Sequence, residues 1–385
     1  MWTSQSYIET GLSNDIKIEL LQESAKQIFQ AQSSLPQRPS LLTLRHFVQR
    51  TNSDYNLMRS IVKRSDHNYY KKFSIRKRSG GKRFIYVPNY ELMVSLKWLN
   101  LYVLNLYSPH HASHAFVKKR SIVSCAAPHC GTKWLVKIDI TGFFESITEI
   151  QIYRVFKSLG YSPLVSFELA RICTVIPKGS GGVRSEKSNW EINENTYSIN
   201  AYSQGRKILG FLPQGYPTSP VLSNLVMRDL DEKIQKKSDE LGITYTRYSD
   251  DMIFSTSDVR FNREILSNFI GEISTLIGKQ GFSPNQNKTK IIPPGSRKVV
   301  LGLNVNASKP SLSKEFKSKI RMHLFYLSKP DGVLIHSEKR GFKSILGMRN
   351  HIEGLINYAR MVDVEYGIKM MTKLNSIRFP DDINP

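Results

Sequence analysis

At 385 residues the chain is long enough for two or three subdomains, and its 55 Lys and Arg against 32 Asp and Glu leave a formal net charge of +23 spread along its length. A folded protein this basic repels itself without an anionic partner; no apolar run approaches the roughly 18 residues that span a bilayer, so nucleic acid is the expected partner rather than a membrane. A hydrophobic content of 40% excludes a disordered chain.

In chain order, residues 1 to about 45 read as polar helices broken at "SSLPQRPS", an N-terminal extension. Its first residues lack a basic n-region and an apolar h-region, so no secretory signal is expected. Helical patterning continues from "SLLTLRHFVQRTN" to "SIVKRSDHNYY". "KKFSIRKRSGGKRFIYVPN" then predicts strand, Gly-Gly turn and strand, closed by Pro88. "YELMVSLKWLNLYVLNLY" predicts an amphipathic helix. In the loop that follows, Cys125, His129 and Cys130 lack a fourth ligand at zinc spacing. With Cys173 they are too few for a disulfide framework, which fits a reducing cytoplasm.

"TKWLVKIDITGFF" predicts a buried strand ending near Asp139, followed by helices at "ITEIQIYRVFKSLG" and "SPLVSFELARICTVI". Residues 177–208, polar and rich in Gly and Ser, read as an insertion or extended hairpin. "LSNLVMRDLDEKIQKKSDELG" predicts a long helix. It leads into "GITYTRYSDDMIFST", two β-patterned runs with a tight turn around Ser249, Asp250 and Asp251. "NREILSNFIGEISTLIGKQG" predicts a helix and "KTKIIPP" a short strand. Beyond "KVVLGLNVN" the chain reads as basic helices.

Taken singly, Asp139 at a strand end and Asp250-Asp251 at a turn are ordinary features. Three carboxylates converging at strand ends repel one another unless a cation lies between them, and hard oxygen donors of this kind suit Mg²⁺. Two such ions serve in-line displacement at phosphorus, so a basic chain with this set is a candidate polymerase or nuclease. "FLPQGYPTSPVLSNL" favours polymerase: Pro213, Gly215, Pro217 and Pro220 fix a loop around Gln214 that suits close approach to a substrate. Arg76, Lys77, Arg78, Lys82 and Arg83 crowd the Gly-Gly hairpin and suit a triphosphate or a nucleic-acid backbone.

Together, "IDITGFFESI", "LPQGYPTSPVLSNL" and "RYSDDMIFS" resemble, in order and spacing, the catalytic blocks of reverse transcriptases. The basic hairpin resembles that family's first fingers block, and "GFSPNQNKTK" and "VVLGLNVN" resemble the blocks after the catalytic hairpin. Within the family, "HAFVKKRSIVSCAAPHCGTKWLVKIDI" and "MRNHIEGLINYAR" are most similar to bacterial retron enzymes. The retron pattern Asn-Ala-x-x-His is here Cys125-Ala126-Ala127-Pro128-His129, and Val-Thr-Gly is Val300-Leu301-Gly302. Ser249 and Tyr216 stand where Ala is usual.

The resemblance implies an α+β right-hand polymerase. Its expected parts are a helical extension (1–45), fingers (46–135), an antiparallel-sheet palm (136–305) and a helical thumb (306–385). By position it implies Asp139, the Ile140 carbonyl, Asp250 and Asp251 as ligands of two Mg²⁺. Phe144 falls at the steric gate beside Phe143. Gln214, Arg83, Lys82 and Arg76 are expected to contact the incoming dNTP, and Lys288 or Lys290 its pyrophosphate. Lys118, Lys119, Arg120, His129, Lys314, Lys317, Arg321 and His351 are expected nucleic-acid contacts, the thumb lysines by tracking a template–primer backbone, with a structural role the alternative for the two histidines. The implied activity is copying of a cognate structured noncoding RNA into branched RNA–DNA in anti-phage defence, with a separate effector protein. The alternatives are a defence reverse transcriptase outside the retrons, an intron maturase and a non-catalytic RNA-binding scaffold.

Overall fold

A computed structural model describes residues 4–34, 39–65, 69–76, 80–176 and 209–380. The 177–208 segment, Lys77 and Arg78 lie outside the described residues. Two compact units emerge, each assembled from three stretches of chain. The first is Met1–Val117, Ile140–Ile234 and Ile273–Asn285; the second is Lys118–Asp139, Gln235–Glu272 and Gln286–Pro385. The expected extension lies in the first unit and the expected thumb in the second, while the expected fingers and palm each contribute to both.

In the first unit, helices Leu44–Thr51 and Tyr55–Lys63 begin on Thr43 and Asp54, whose side chains accept the backbone N–H of His46 and Leu57. The Gly-Gly hairpin forms as expected: β1 (Tyr70–Arg76) pairs antiparallel with β2 (Lys82–Pro88), and Gly80 and Gly81 take φ of 89° and 79° at the turn. The next helix, Tyr90–Tyr102, is shorter than its sequence pattern and ends in a 3₁₀ turn at Leu104–Leu106. Helices Glu149–Ser158 and Pro163–Ile172 pack against one another.

A buried ionic cluster ties these helices together. Glu149, 1% exposed, receives Arg64 Nη2 at 2.9 Å, Arg171 Nε at 3.2 Å and the Gly210 N–H at 2.9 Å. Arg64 also donates to the Thr174 carbonyl and hydroxyl, each at 2.7 Å. Burial opposes the Glu149 charge, but the two guanidiniums prevail and hold its carboxyl below the ordinary range. A Cβ on Gly210 would come within 2.6–2.8 Å of the Glu149, Arg64 and Thr174 side-chain ends, so a larger residue there would have to displace the cluster.

The second unit is built on a four-stranded sheet of order β4-β5-β3-β6, from β3 (Trp134–Asp139), β4 (Thr244–Tyr248), β5 (Asp251–Thr256) and β6 (Lys290–Ile292). Every pairing is antiparallel. Sequence reading had not separated a further small sheet, β7 (Val299–Val300), β8 (Leu303–Asn304) and β9 (Ser311–Leu312). Leu301 and Gly302 form its first turn at φ of 48° and 86°, so the glycine answers a backbone requirement. Helices Lys314–Leu327, Gly332–Lys339, Ile345–Val362 and Val364–Asn375 complete the unit. Ile320, Ile352, Ile356 and Met370 from these helices share one core with Leu135, Ile253, Val300 and Leu303. No described helix is long and apolar enough to cross a membrane.

Candidate active site

In the second unit, strand register brings the expected carboxylates to one end of the sheet. Asp139 closes β3 and is the cross-strand partner of Asp251, the first residue of β5. Tyr248 pairs with Asp251, leaving Ser249 and Asp250 as a two-residue turn. Paired residues project to the same face, so Asp139 and Asp251 stand side by side there. Ser249 takes a φ of 59°, a conformation that non-glycine residues adopt at a cost. Its carbonyl accepts Arg247 Nη1 at 3.0 Å, and Arg247 is wholly buried. A buried arginine on a strand is rare without a task; this one holds the turn that carries the carboxylates.

The electrostatics follow from that crowding. Burial, and then the Asp139 charge, raises the Asp250 carboxyl above its ordinary range. Asp251 reaches solvent at its outer edge, yet partial desolvation and then the charges of Asp250 and Asp139 push it up to about 6. Lys288 supplies the compensating charge: its Nζ lies 2.9 and 3.1 Å from the two Asp139 oxygens, and this bond raises the ammonium pKa. Lys137, two residues before Asp139, has its ammonium pKa lowered by burial although Asp251 opposes the shift.

These donors fit a hard divalent cation, and the Lys288 ammonium stands where the site requires positive charge. As the side chains stand, no group of three or more His, Cys, Asp or Glu among the described residues closes round one ion. Ile140 is buried and bridges to Pro284.

The expected nucleotide-handling residues lie in the first unit. Arg76, Lys82 and Arg83 are exposed at the tip of the β1–β2 hairpin, where Arg76 pairs with Lys82. The Tyr86 N–H of β2 donates to the Gln214 carbonyl at 2.7 Å. Gly215 follows at φ 113°, and a Cβ there would lie 2.4 Å from the Tyr86 carbonyl oxygen. The glycine of "LPQG" therefore lets the hairpin backbone seat on the loop. The Gln214 side chain donates to Glu145 at 3.2 Å, a partner sequence reading had not singled out.

Phe143 and Phe144 separate in role. Phe143 is a core residue, 3% exposed and against Phe282, so burial removes it from the expected dNTP contacts. Phe144 is half-buried and meets Phe143 and Phe116 edge-on, with ring centroids 5.5 and 6.4 Å away.

Among the expected nucleic-acid contacts, Lys118, Lys119, Lys314, Arg321 and His351 are exposed and Arg120 is half-buried. Lys317 is engaged within the helices: its Nζ bonds Asp363 at 2.9 Å and lies 4.6 Å from the Tyr366 ring centre. His129 departs from expectation, being wholly buried with both ring nitrogens bonded to hydroxyls of the sheet. That burial keeps it from nucleic acid in this arrangement. Two adjacent thumb histidines form a pair unseen in the sequence, His323 Nδ1 lying 2.9 Å from His336 Nε2.

Carboxylates on a β-hairpin facing a third on the neighbouring strand, within an antiparallel sheet that shares its core with a helical bundle, define the palm and thumb of a right-hand polymerase. Residues 75–311 match the family described as reverse transcriptase (RNA-dependent DNA polymerase), and the chain belongs to that family. Retron enzymes are among its relatives. The Retron Ec73 reverse transcriptase of Escherichia coli is 33% identical over 79% of this chain and 86% of its own. The Retron Ec86 enzyme of the same species is 28% identical over 87% and 94%. The Retron Mx65 enzyme of Myxococcus xanthus is 29% identical over 77% of this chain, which spans 62% of that longer protein. A solved telomerase from Candida albicans aligns with 81% of this chain and 57% of its own at 13% identity and a TM-score of 0.39.

Proposed function

We propose that the protein is a retron-type RNA-directed DNA polymerase that copies a cognate structured RNA into DNA joined to that RNA. The observation that carries this reading is the Asp139–Asp251 cross-strand pair with Asp250 in the adjoining turn, in a chain of the reverse transcriptase family. Polymerases of this family generally use divalent metal ions; when bound at Asp139, Asp250 and Asp251, two Mg²⁺ would activate the attacking hydroxyl and stabilise the pyrophosphate. The chain's own residues divide the remaining work. Arg83, Lys82 and Arg76 offer exposed cations to the dNTP triphosphate. Phe144 presents the ring against which a sugar 2′-hydroxyl is excluded, and Gln214, steadied by Glu145, meets the nucleotide. Lys288 holds a proton beside the carboxylates and can deliver it to the leaving pyrophosphate. Lys118, Lys119, Lys314 and Arg321 bind the RNA and the growing duplex through phosphates. Anti-phage defence in company with a separate effector protein is the biological setting we infer, in the cytoplasm.

The test is to purify the protein with its bound nucleic acid and sequence that material before and after RNase, alongside an Asp250→Ala plus Asp251→Ala variant. A branched RNA–DNA species present in the wild type and lost in the variant is expected. DNA with no complementary RNA would assign the enzyme to a different priming scheme. Absence of dNTP incorporation on any primer and template would remove the polymerase reading.

A further inference from the structure

The His129 ring lies at the end of the short 3₁₀ turn Ala127–His129 and is wholly buried. Its Nδ1 is 2.7 Å from Ser255 Oγ on β5, and its Nε2 is 2.8 Å from Thr246 Oγ1 on β4. Thr246 Oγ1 is placed to donate to the Cys125 carbonyl at 3.1 Å, and Cys125 Sγ stands 3.2 Å from that Thr246 hydroxyl. With that donation Thr246 accepts from the His129 Nε2–H, and Nδ1 accepts from the Ser255 hydroxyl.

The location gives these bonds their meaning. Thr246 pairs with Ile253, two residues before Ser255, so the two hydroxyls are diagonal neighbours on adjoining strands. Strand alternation puts them on the same face as Asp251 and Asp139. The ring is thus a side-chain crosslink between the two strands whose joining turn carries the catalytic aspartates. Backbone pairing alone leaves that turn free to twist, and it holds a non-glycine residue at positive φ.

We propose that His129 is a positioning residue for the polymerase reaction: together with Thr246, Ser255 and Cys125 it braces the β4–β5 hairpin and fixes where Asp250 and Asp251 stand. This rests on the polymerase reading above. Misplacement of a reacting group by about 1 Å costs on the order of a hundredfold in rate. Loosening the brace therefore lowers kcat by about ten- to a hundredfold and leaves dNTP KM and RNA affinity unchanged.

The experiment uses the full chain with an oligonucleotide primer on an RNA template, in His129→Gln, Ser255→Ala, the double variant, Thr246→Val and Thr246→Ser. Expected are a fall in kcat for His129→Gln and Ser255→Ala with KM unchanged, a double variant no worse than the more impaired single, and near-wild-type turnover for Thr246→Ser but not Thr246→Val. A purely structural role would move melting temperature and all kinetic constants together. Hydrogen exchange of the amides at 244–256 reads the brace without reference to catalysis and should accelerate in His129→Gln. Wild-type exchange and wild-type kcat in a folded His129→Gln protein overturn the proposal. Weakened template binding at unchanged kcat also overturns it, by making His129 a nucleic-acid contact. If the wild type incorporates no dNTP, the polymerase reading falls, and the exchange rates still decide whether the brace exists.

Discussion

Ser249 sits at positive φ where glycine would be at ease, and its carbonyl is held by an arginine with no exposure to water. The site thus accepts local strain and local charge repulsion together, a pattern expected where function overrides stability. Asp251 makes this measurable. Its folded carboxyl titrates near 6, above the ordinary value of about 4, so the penalty for its charge is fully present above pH 6 and relaxes as pH falls toward 4. Asp251→Asn should therefore raise the melting temperature of the metal-free protein at neutral pH while abolishing dNTP incorporation; a melting temperature at or below wild type contradicts the repulsion argument. The carboxylates themselves were legible in the sequence, because residue type, order and spacing suffice to name them. Arg247, Glu145 and the pairing of Lys288 with Asp139 were not, because each is defined by what it touches after folding. His129 stood open between a structural role and an RNA contact for the same reason: residue type gives no sign of which way a histidine faces.

At the level of elements, hydrophobic periodicity and turn chemistry placed the β1–β2 hairpin, the β4–β5 hairpin and the long helices. The β7–β9 sheet escaped because its strands are two residues each, too short for any alternation to register. Long-range polar clusters escaped entirely. Glu149 shows how much can rest on one: Glu149→Gln leaves two buried guanidiniums facing a neutral amide, and breaking such a cluster costs about 3–5 kcal/mol. A denaturant midpoint moved by less than a quarter of that loss would show that the cluster relaxes or hydrates. The thumb carries the opposite sensitivity to acid from Asp251. Burial first, and then the positive surroundings of His336, His351, Lys319 and Arg340, lowers His323 to about 4. A group depressed in this way contributes stability that is whole above pH 6.5 and lost as pH falls toward 4. Melting curves across that window should steepen for wild type relative to His323→Phe, and parallel curves would remove the histidine pair as the cause.

Over the whole molecule, the surplus of 23 positive charges was the most direct message of the sequence and the least specific. It predicts that RNA affinity falls steeply with salt, each phosphate contact adding about 0.7–0.9 to the slope of log K against log salt. Replacing both Lys314 and Arg321 with Gln should lower that slope by up to about 2 and weaken binding uniformly across RNA sequences. A sequence-dependent loss would point instead to base contacts. What sequence could not convey is how the chain is shared between its two units. It passes from one to the other after Val117, Asp139, Ile234, Glu272 and Asn285. No single cut therefore releases either unit as a continuous piece. During synthesis from the N-terminus the first unit also waits until Asn285 has emerged, by which point two of the second unit's three stretches have been made. The ribosome thus begins the second unit before it finishes the first, and a truncation shortly after Asp251 leaves both units incomplete.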